Sequence, residues 1–314
     1  MVRQLSVCVA LAACGARPPP ASEPDPAERI AIIASERGPS GTRLVAIDER
    51  GDRQLVLIAP IAGVVRDSHP AVSPDRGWIV FASSRGRTLE TTSLWIAPLG
   101  SESVPVPLTT GPAIDSHPTW SPDGTAIVFA STRDGGDFDL WRVAIDSGRA
   151  VGEPVQLTSG ATHEVTPTVA ADGTVIYAAV TPTGDRTVES MLEERRPDGS
   201  IVTLTPGPAD TSPALSPDGK TLAFARPLVH DGTPTSELWL MACGTEAAEP
   251  VLAAPLPLTE ESGPVWSRDE RFLFATSVMR GDAGVVFSSV IHIDLNESPR
   301  RARMLRDHAG AISR

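Results

Sequence analysis

Short apolar runs alternate with polar, turn-forming stretches along most of this chain, and the alternation is periodic. Trp78-Ile79-Val80-Phe81-Ala82, Ala126-Ile127-Val128-Phe129-Ala130, Val175-Ile176-Tyr177-Ala178, Thr221-Leu222-Ala223-Phe224-Ala225 and Phe272-Leu273-Phe274-Ala275 each follow an Asp-containing turn. Runs this short, rich in β-branched and aromatic residues and bounded by turn formers, predict strands. A polar loop follows, and then Leu94-Trp95-Ile96, Leu140-Trp141-Arg142-Val143 or Leu238-Trp239-Leu240 predicts a third strand. A fourth, outer strand is expected to end at Pro107-Leu108-Thr109, Gln156-Leu157-Thr158, Thr203-Leu204-Thr205 and Pro257-Leu258-Thr259.

Ahead of each second strand stands a recurring phrase. It reads His69-Pro70-Ala71-Val72-Ser73-Pro74-Asp75, His117-Pro118-Thr119-Trp120-Ser121-Pro122-Asp123-Gly124, Pro167 to Gly173, Pro213-Ala214-Leu215-Ser216-Pro217-Asp218-Gly219 and Pro264-Val265-Trp266-Ser267-Arg268-Asp269. The leading prolines at 70, 118, 167, 213 and 264 are 48, 49, 46 and 51 residues apart. A period of about 50 with four strands per repeat predicts propeller blades. Ser-Pro-Asp-Gly suits a tight turn, because Pro fixes φ, Asp bonds its own backbone and Gly accepts positive φ. The aspartates of the phrase therefore have a structural role.

The chain ends carry partial repeats. Ile30 to Ile58 holds three apolar runs without an opening phrase, and Asp307 to Arg314 aligns with Asp67 to Pro74. The expected fold is thus an all-β, six-bladed β-propeller over residues 30–314, closed by pairing the C-terminal strand with the N-terminal blade. Closure would remove exposed sheet edges.

The repeated phrase, the Ile-Val-Phe-Ala strand and the Leu-Trp strand resemble the Pro-Asp repeat of the TolB family of bacterial envelope proteins. The resemblance covers residues 30–314 and implies the propeller, without the additional α/β domain that precedes it in that family. Similar repeats occur in propellers of prolyl-oligopeptidase-like enzymes and of some polysaccharide lyases, so the fold assigns no chemistry.

Residues 1–13 read as a signal peptide. Met1-Val2-Arg3-Gln4 is basic, Leu5 to Ala13 is apolar and too short to span a bilayer, and Leu11-Ala12-Ala13-Cys14-Gly15 resembles a lipobox. Cys14 is then the lipid attachment site, and residues 14–29 form a tether whose Pro-rich stretch from Arg17-Pro18-Pro19-Pro20, about a dozen residues, reaches roughly 40 Å at ~3.1 Å per residue. This places the chain in the bacterial cell envelope, anchored to a membrane and facing the periplasm or exterior, with the outer membrane preferred by resemblance to enterobacterial lipoproteins. Cys8 falls in the signal peptide and Cys14 carries the lipid, which leaves Cys243 alone in the domain, expected as a small buried residue. A net charge of −12 argues against nucleic acid as a partner.

There is no Gly-x-Ser-x-Gly elbow, phosphate-cradling loop or His-Glu-x-x-His. Aligning the repeats instead reveals an acidic residue three positions before each leading Pro or its equivalent: Asp67, Asp115, Glu164, Asp210, Glu261 and Asp307. At the start of the innermost strands these would ring a channel mouth. Two readings stand side by side. Either each carboxylate accepts bonds within its own loop, or the ring faces the channel and takes calcium, magnesium or a basic peptide. The chain is expected to be a monomeric, non-catalytic module that binds an envelope protein or peptide. The alternative is a lyase or hydrolase using these carboxylates with His69, His117 and His163.

Overall fold

The apolar run after each Asp turn becomes the second strand of a blade in a computed structural model of the protein. The structure describes residues 32–307 except 39–40, 49–50, 52, 60, 101, 184–186, 206, 208, 231–232, 254–262 and 281–285. The first full blade comprises β4 (Val65–Val72), β5 (Trp78–Ser83), β6 (Ser93–Pro98) and β7 (Val106–Pro107). The second comprises β8 (Asp115–Trp120), β9 (Ala126–Ser131), β10 (Asp139–Asp146) and β11 (Arg149–Gln156). The third is β12 (His163–Val169), β13 (Val175–Thr183), β14 (Thr187–Arg195) and β15 (Ile201–Thr205). The fourth is β16 (Thr211–Leu215), β17 (Thr221–His230), β18 (Thr233–Ala242) and β19 (Ala248–Pro250). The fifth is β20 (Val265–Trp266), β21 (Phe272–Arg280), β22 (Val286–Asp294) and β23 (Ala302–Asp307). Within each blade the strands pair antiparallel in chain order.

The count of six blades is corrected. Among the described residues the strands form five sheets, four with four strands and one with seven. Among the described residues the N-terminal strands β1 (Ile32–Gly38), β2 (Gly41–Ile47) and β3 (Arg53–Val56) have no inner strand of their own. They join the first blade through a short parallel pairing, Gly41 with Val65 and Thr42 with Arg66. Gly41, at φ +102°, makes that approach possible: a Cβ there would stand 1.9 Å from the Val65 carbonyl oxygen. The expected closing residues 308–314 and the outer strand at Pro257 to Thr259 lie outside the described residues, as do the leader, Cys14 and the tether. No helix among the described residues is long and apolar enough to cross a membrane.

The core sits between blades. Second-strand aromatics Phe81, Phe129, Tyr177, Phe224 and Phe274 occupy equivalent, fully buried places. One cluster joins Val80, Leu94 and Ile96 of the first blade to Ile127, Phe129 and Val143 of the second, and another joins Ile176 and Leu192 to Leu222 and Phe224. The faces of neighbouring sheets thus exclude water from each other, at roughly 25 cal/mol per Å² of apolar area. Indole bonds reinforce two seams: Trp120 Nε1 donates to Ala71 O at 3.1 Å and Trp266 Nε1 to the equivalent Ala214 O at 2.9 Å.

The turn aspartates have the local role read from sequence. Ser73, Ser121, Ser216 and Ser267 donate their hydroxyls to Asp75, Asp123, Asp218 and Asp269, and the amides of Gly77, Thr125, Lys220 and Arg271 bond the same carboxylates. The hydroxyl bonds hold all four carboxyls below the usual range. Cys243 departs from expectation. It is exposed, because it falls in the turn just after β18, beside Gly244 at φ +80°.

Candidate functional site at the inner strands

The first strand of each full blade lies beside the first strand of the next, β4 by β8, β8 by β12, β12 by β16 and β16 by β20, so these strands form the inner wall. Four of them carry the same defect. The pairing to the second strand slips between Ser68 and Ala71, Ser116 and Thr119, Val165 and Thr168, and Thr211 and Ala214. At each slip the residue before the leading Pro adopts positive φ: His69 +50°, His117 +48°, Thr166 +52° and Ser212 +53°. A bulge absorbs one extra residue and re-aims its side chain.

Neighbouring bulge residues meet. The rings of His69 and His117 are 3.9 Å apart, tilted by 43°. Gly263, at the matching place in the fifth blade, is so close to Ser212 that a Cβ there would fall 2.6 Å from the Ser212 Cβ. Ser116 Oγ lies 2.9 Å from His117 Nδ1 and 3.4 Å from His69 Nδ1. Burial, with the charge of Arg66 adding to it, lowers the His69 pKa to about 4, so this imidazole is neutral at pH 7. For a β-branched residue such as Thr166, positive φ is strained, and its buried hydroxyl has no partner among the described residues. Replacing Thr166 by Gly is therefore expected to leave the unfolding midpoint unchanged or raised in calorimetry, whereas Gly inside an ordinary strand costs about 0.5–1 kcal/mol.

The acidic positions stand two residues before these bulges, and they are buried. Asp67, Asp115 and Asp210 are at most 2% exposed. Each is held by an arginine of its own blade, two residues beyond the second strand in the first two and within it in the fourth: Arg85 Nη2 at 2.7 Å from Asp67, Arg133 Nη2 at 2.9 Å from Asp115, and Arg226 through two bonds of 2.7 Å to Asp210. Ser83 and Ser131 add hydroxyl bonds of 2.5 Å to Asp67 and Asp115. The guanidinium groups lie over the repeat's aromatics, Arg133 over Phe129 and Trp141 and Arg226 over Phe224 and Trp239. The main-chain carbonyls are tied as well: Asp67 O accepts from Ser35 and Thr42, Asp115 O from Thr92, and Asp210 O from Ser190.

Glu164 has a different environment. Among the described residues no arginine reaches it; Thr158 and Thr162 donate to its oxygens, and Asp139 of the second blade lies beside it. Asp139 takes the Gln156 amide on Oδ2 at 3.2 Å, and its side chain accepts from the Glu164 carboxyl when that carries a proton. Burial, aided by this neighbouring carboxylate, pushes Glu164 up to about 7, and burial likewise raises Asp139, with Asp137 and Asp134 adding to the shift. His163 turns away from this pair, its Nδ1 accepting from the Phe138 amide at 3.1 Å. Asp307 is placed by its backbone on the outer strand of the fifth blade, paired with Ser289, and not on an inner strand. Glu261 lies outside the described residues. Among the described residues, no group of three or more His, Cys, Asp or Glu is arranged to hold a metal ion.

Sequence reading missed the arginines and the pairing of His69 with His117. A signal for the arginines was present: Ala82-Ser83-Ser84-Arg85 and Ala130-Ser131-Thr132-Arg133 align, and Ala225-Arg226 follows the same apolar run.

A family model described as the TolB beta propeller domain matches residues 19–268. No curated protein matches the chain in sequence. Among solved structures, TolB from Acinetobacter baumannii is 16% identical with a TM-score of 0.65 over 90% of this chain, which spans 65% of that protein's length. Puromycin hydrolase is 17% identical with a TM-score of 0.55, over 90% of this chain and 46% of its own. The periplasmic gluconolactonase PpgL of Pseudomonas aeruginosa is 12% identical with a TM-score of 0.54, over 90% of this chain and 97% of its own. At these identities the likeness is one of fold.

Proposed function

Because this chain belongs to the TolB β-propeller family, we propose that it works as a non-catalytic binding module of the bacterial cell envelope, held to a membrane through a lipid on Cys14 and engaging an envelope protein or peptide. The observation that carries this reading is the repetition of the inner-strand cage. Asp67, Asp115 and Asp210 are each neutralised by an arginine of their own blade. Catalysis needs an acid and a base in unlike environments at one place, and three carboxylates treated alike serve the frame.

The leader 1–13 and the tether 14–29 support the anchored location, and the outer membrane is favoured over the inner. The chain acts as a monomer, with the mouth formed by the loops ahead of the inner strands facing its partner. Thr110 and Ser159 are exposed on two of those loops. A photo-crosslinking residue at either position, in cells expressing the full chain, is expected to capture one specific envelope protein, identified by mass spectrometry. Capture of nothing above a control placed on an outer strand overturns the binding-module reading. Persistence of a Cys14→Ser variant in the membrane fraction overturns the lipid anchor.

A further inference from the structure

With Asp67, Asp115 and Asp210 consumed by arginines, a positive charge is left on β4, away from Glu164 on β12. Arg66 of β4 is exposed, and its guanidinium makes no hydrogen bond or ion pair among the described residues. It lies near enough to His69 for its charge to act on the ring. Among the described side chains of β1, β2, β5 and β8, the strands packed on β4, the charges are Glu36 with Arg43 and Asp115 with Arg133, each pair already formed. Asp67, the neighbour of Arg66, belongs to Arg85. In a protein of net charge −12, an arginine with no partner among the described residues near the His69 imidazole is a local inversion of sign.

The ring nitrogens are arranged to use it. Both Nδ1 atoms turn toward the Ser116 hydroxyl, and the His69 Nε2 edge has no partner among the described residues. We propose that Arg66, His69, Ser116 and His117 form a binding site for a carboxylate, with the guanidinium supplying charge and the His69 Nε2 edge a charge-assisted bond once it takes up a proton. This rests on the binding-module reading and deepens it, reversing the sign of ligand that the acidic positions suggested. Binding is coupled to proton uptake: an anion against His69 favours the imidazolium, so affinity falls as pH rises.

The test is a histidine-detected NMR titration of the full chain with glucuronate against glucose, and with acetyl-Ala-Ala as the free acid against its amide. The free acids are expected to move the His69 and His117 signals, with severalfold tighter binding at pH 5.5 than at pH 7.5, while the neutral counterparts do not. A response to glucuronate alone assigns the carboxylate to a sugar acid, and a response to the peptide acid alone assigns it to a chain terminus. Arg66→Gln and His69→Asn should each weaken binding by at least about tenfold, as loss of a charge-assisted bond does. Asn tolerates positive φ, so the His69→Asn variant is expected to keep the native unfolding midpoint and remain a fair test. Equal responses to acid and amide, no response to either acid, or an unchanged affinity in Arg66→Gln overturns the site. Carboxylate binding that survives a failed crosslinking experiment removes the protein partner and keeps this site.

Discussion

Replacing Arg226 by Met is expected to lower stability by roughly 3–5 kcal/mol, the cost of leaving a buried charge without its partner. Asp210 is fully buried and takes two bonds from that guanidinium, which in turn covers Phe224 and Trp239. Methionine keeps much of the packing volume but offers nothing to the carboxylate. Thermal unfolding followed by circular dichroism should show a midpoint lower by on the order of 10 °C. Adding Asp210→Asn to the same chain should recover a large part of the loss, since removing both charges of a buried pair is often close to neutral. A single variant that unfolds with the wild type would show that Asp210 finds water or another donor, and the cage would then not belong to the frame.

The opposite sign is expected at Glu164, where the arginine is missing. Its folded-state pKa, raised to about 7 by burial first, lies above the 4.5 of the free side chain. Folding therefore retains a proton that the unfolded chain releases. The contribution of Glu164 to stability is fully present below about pH 4.5, falls as pH rises through 7 and is flat above it. Glu164→Gln removes that slope. Its amide can donate to Asp139 at any pH, in place of the proton that Glu164 must retain to do so. The variant should gain on the order of 1–2 kcal/mol at pH 8, after allowing for solvent near the loop, and little at pH 4.5. Calorimetry at the two pH values measures this directly as a midpoint a few degrees higher at pH 8 only. A gain of equal size at both pH values would mean that packing, and not the proton, makes the difference.

Much of the fold could be read from sequence because its determinants are local. A second strand such as Ala126 to Ala130 and the turn before it lie within ten residues of each other, and period, turn chemistry and alternation all point one way. The N-terminal strands escaped this logic: their attachment depends on a backbone approach at Gly41, which no hydrophobic pattern records. The acidic positions were legible as positions and not as environments. Whether Asp115 faces a channel or a guanidinium is decided by Arg133, 18 residues away, and whether Glu164 is charged is decided by Asp139 in another blade. The His69 and His117 contact joins residues 48 apart, and only the curvature of the ring brings them together. Cys243 was misjudged because hydrophobic character outweighed its place one residue past a strand end.

The route by which the N-terminal strands are fastened carries a mechanical consequence. β2 runs parallel to β4, and hydroxyls from Ser35 and Thr42 both grip one carbonyl, that of Asp67. Tension applied at the start of β1, where a tethered chain would feel it, is thus delivered through these bonds to the strand bearing Arg66 and His69, and through Ile32 and Ala34 to Phe274 and Val290 of the fifth blade. The point of attachment and the axis are joined by a short linkage, so a pull on one end of the molecule would reach the place where a ligand would sit.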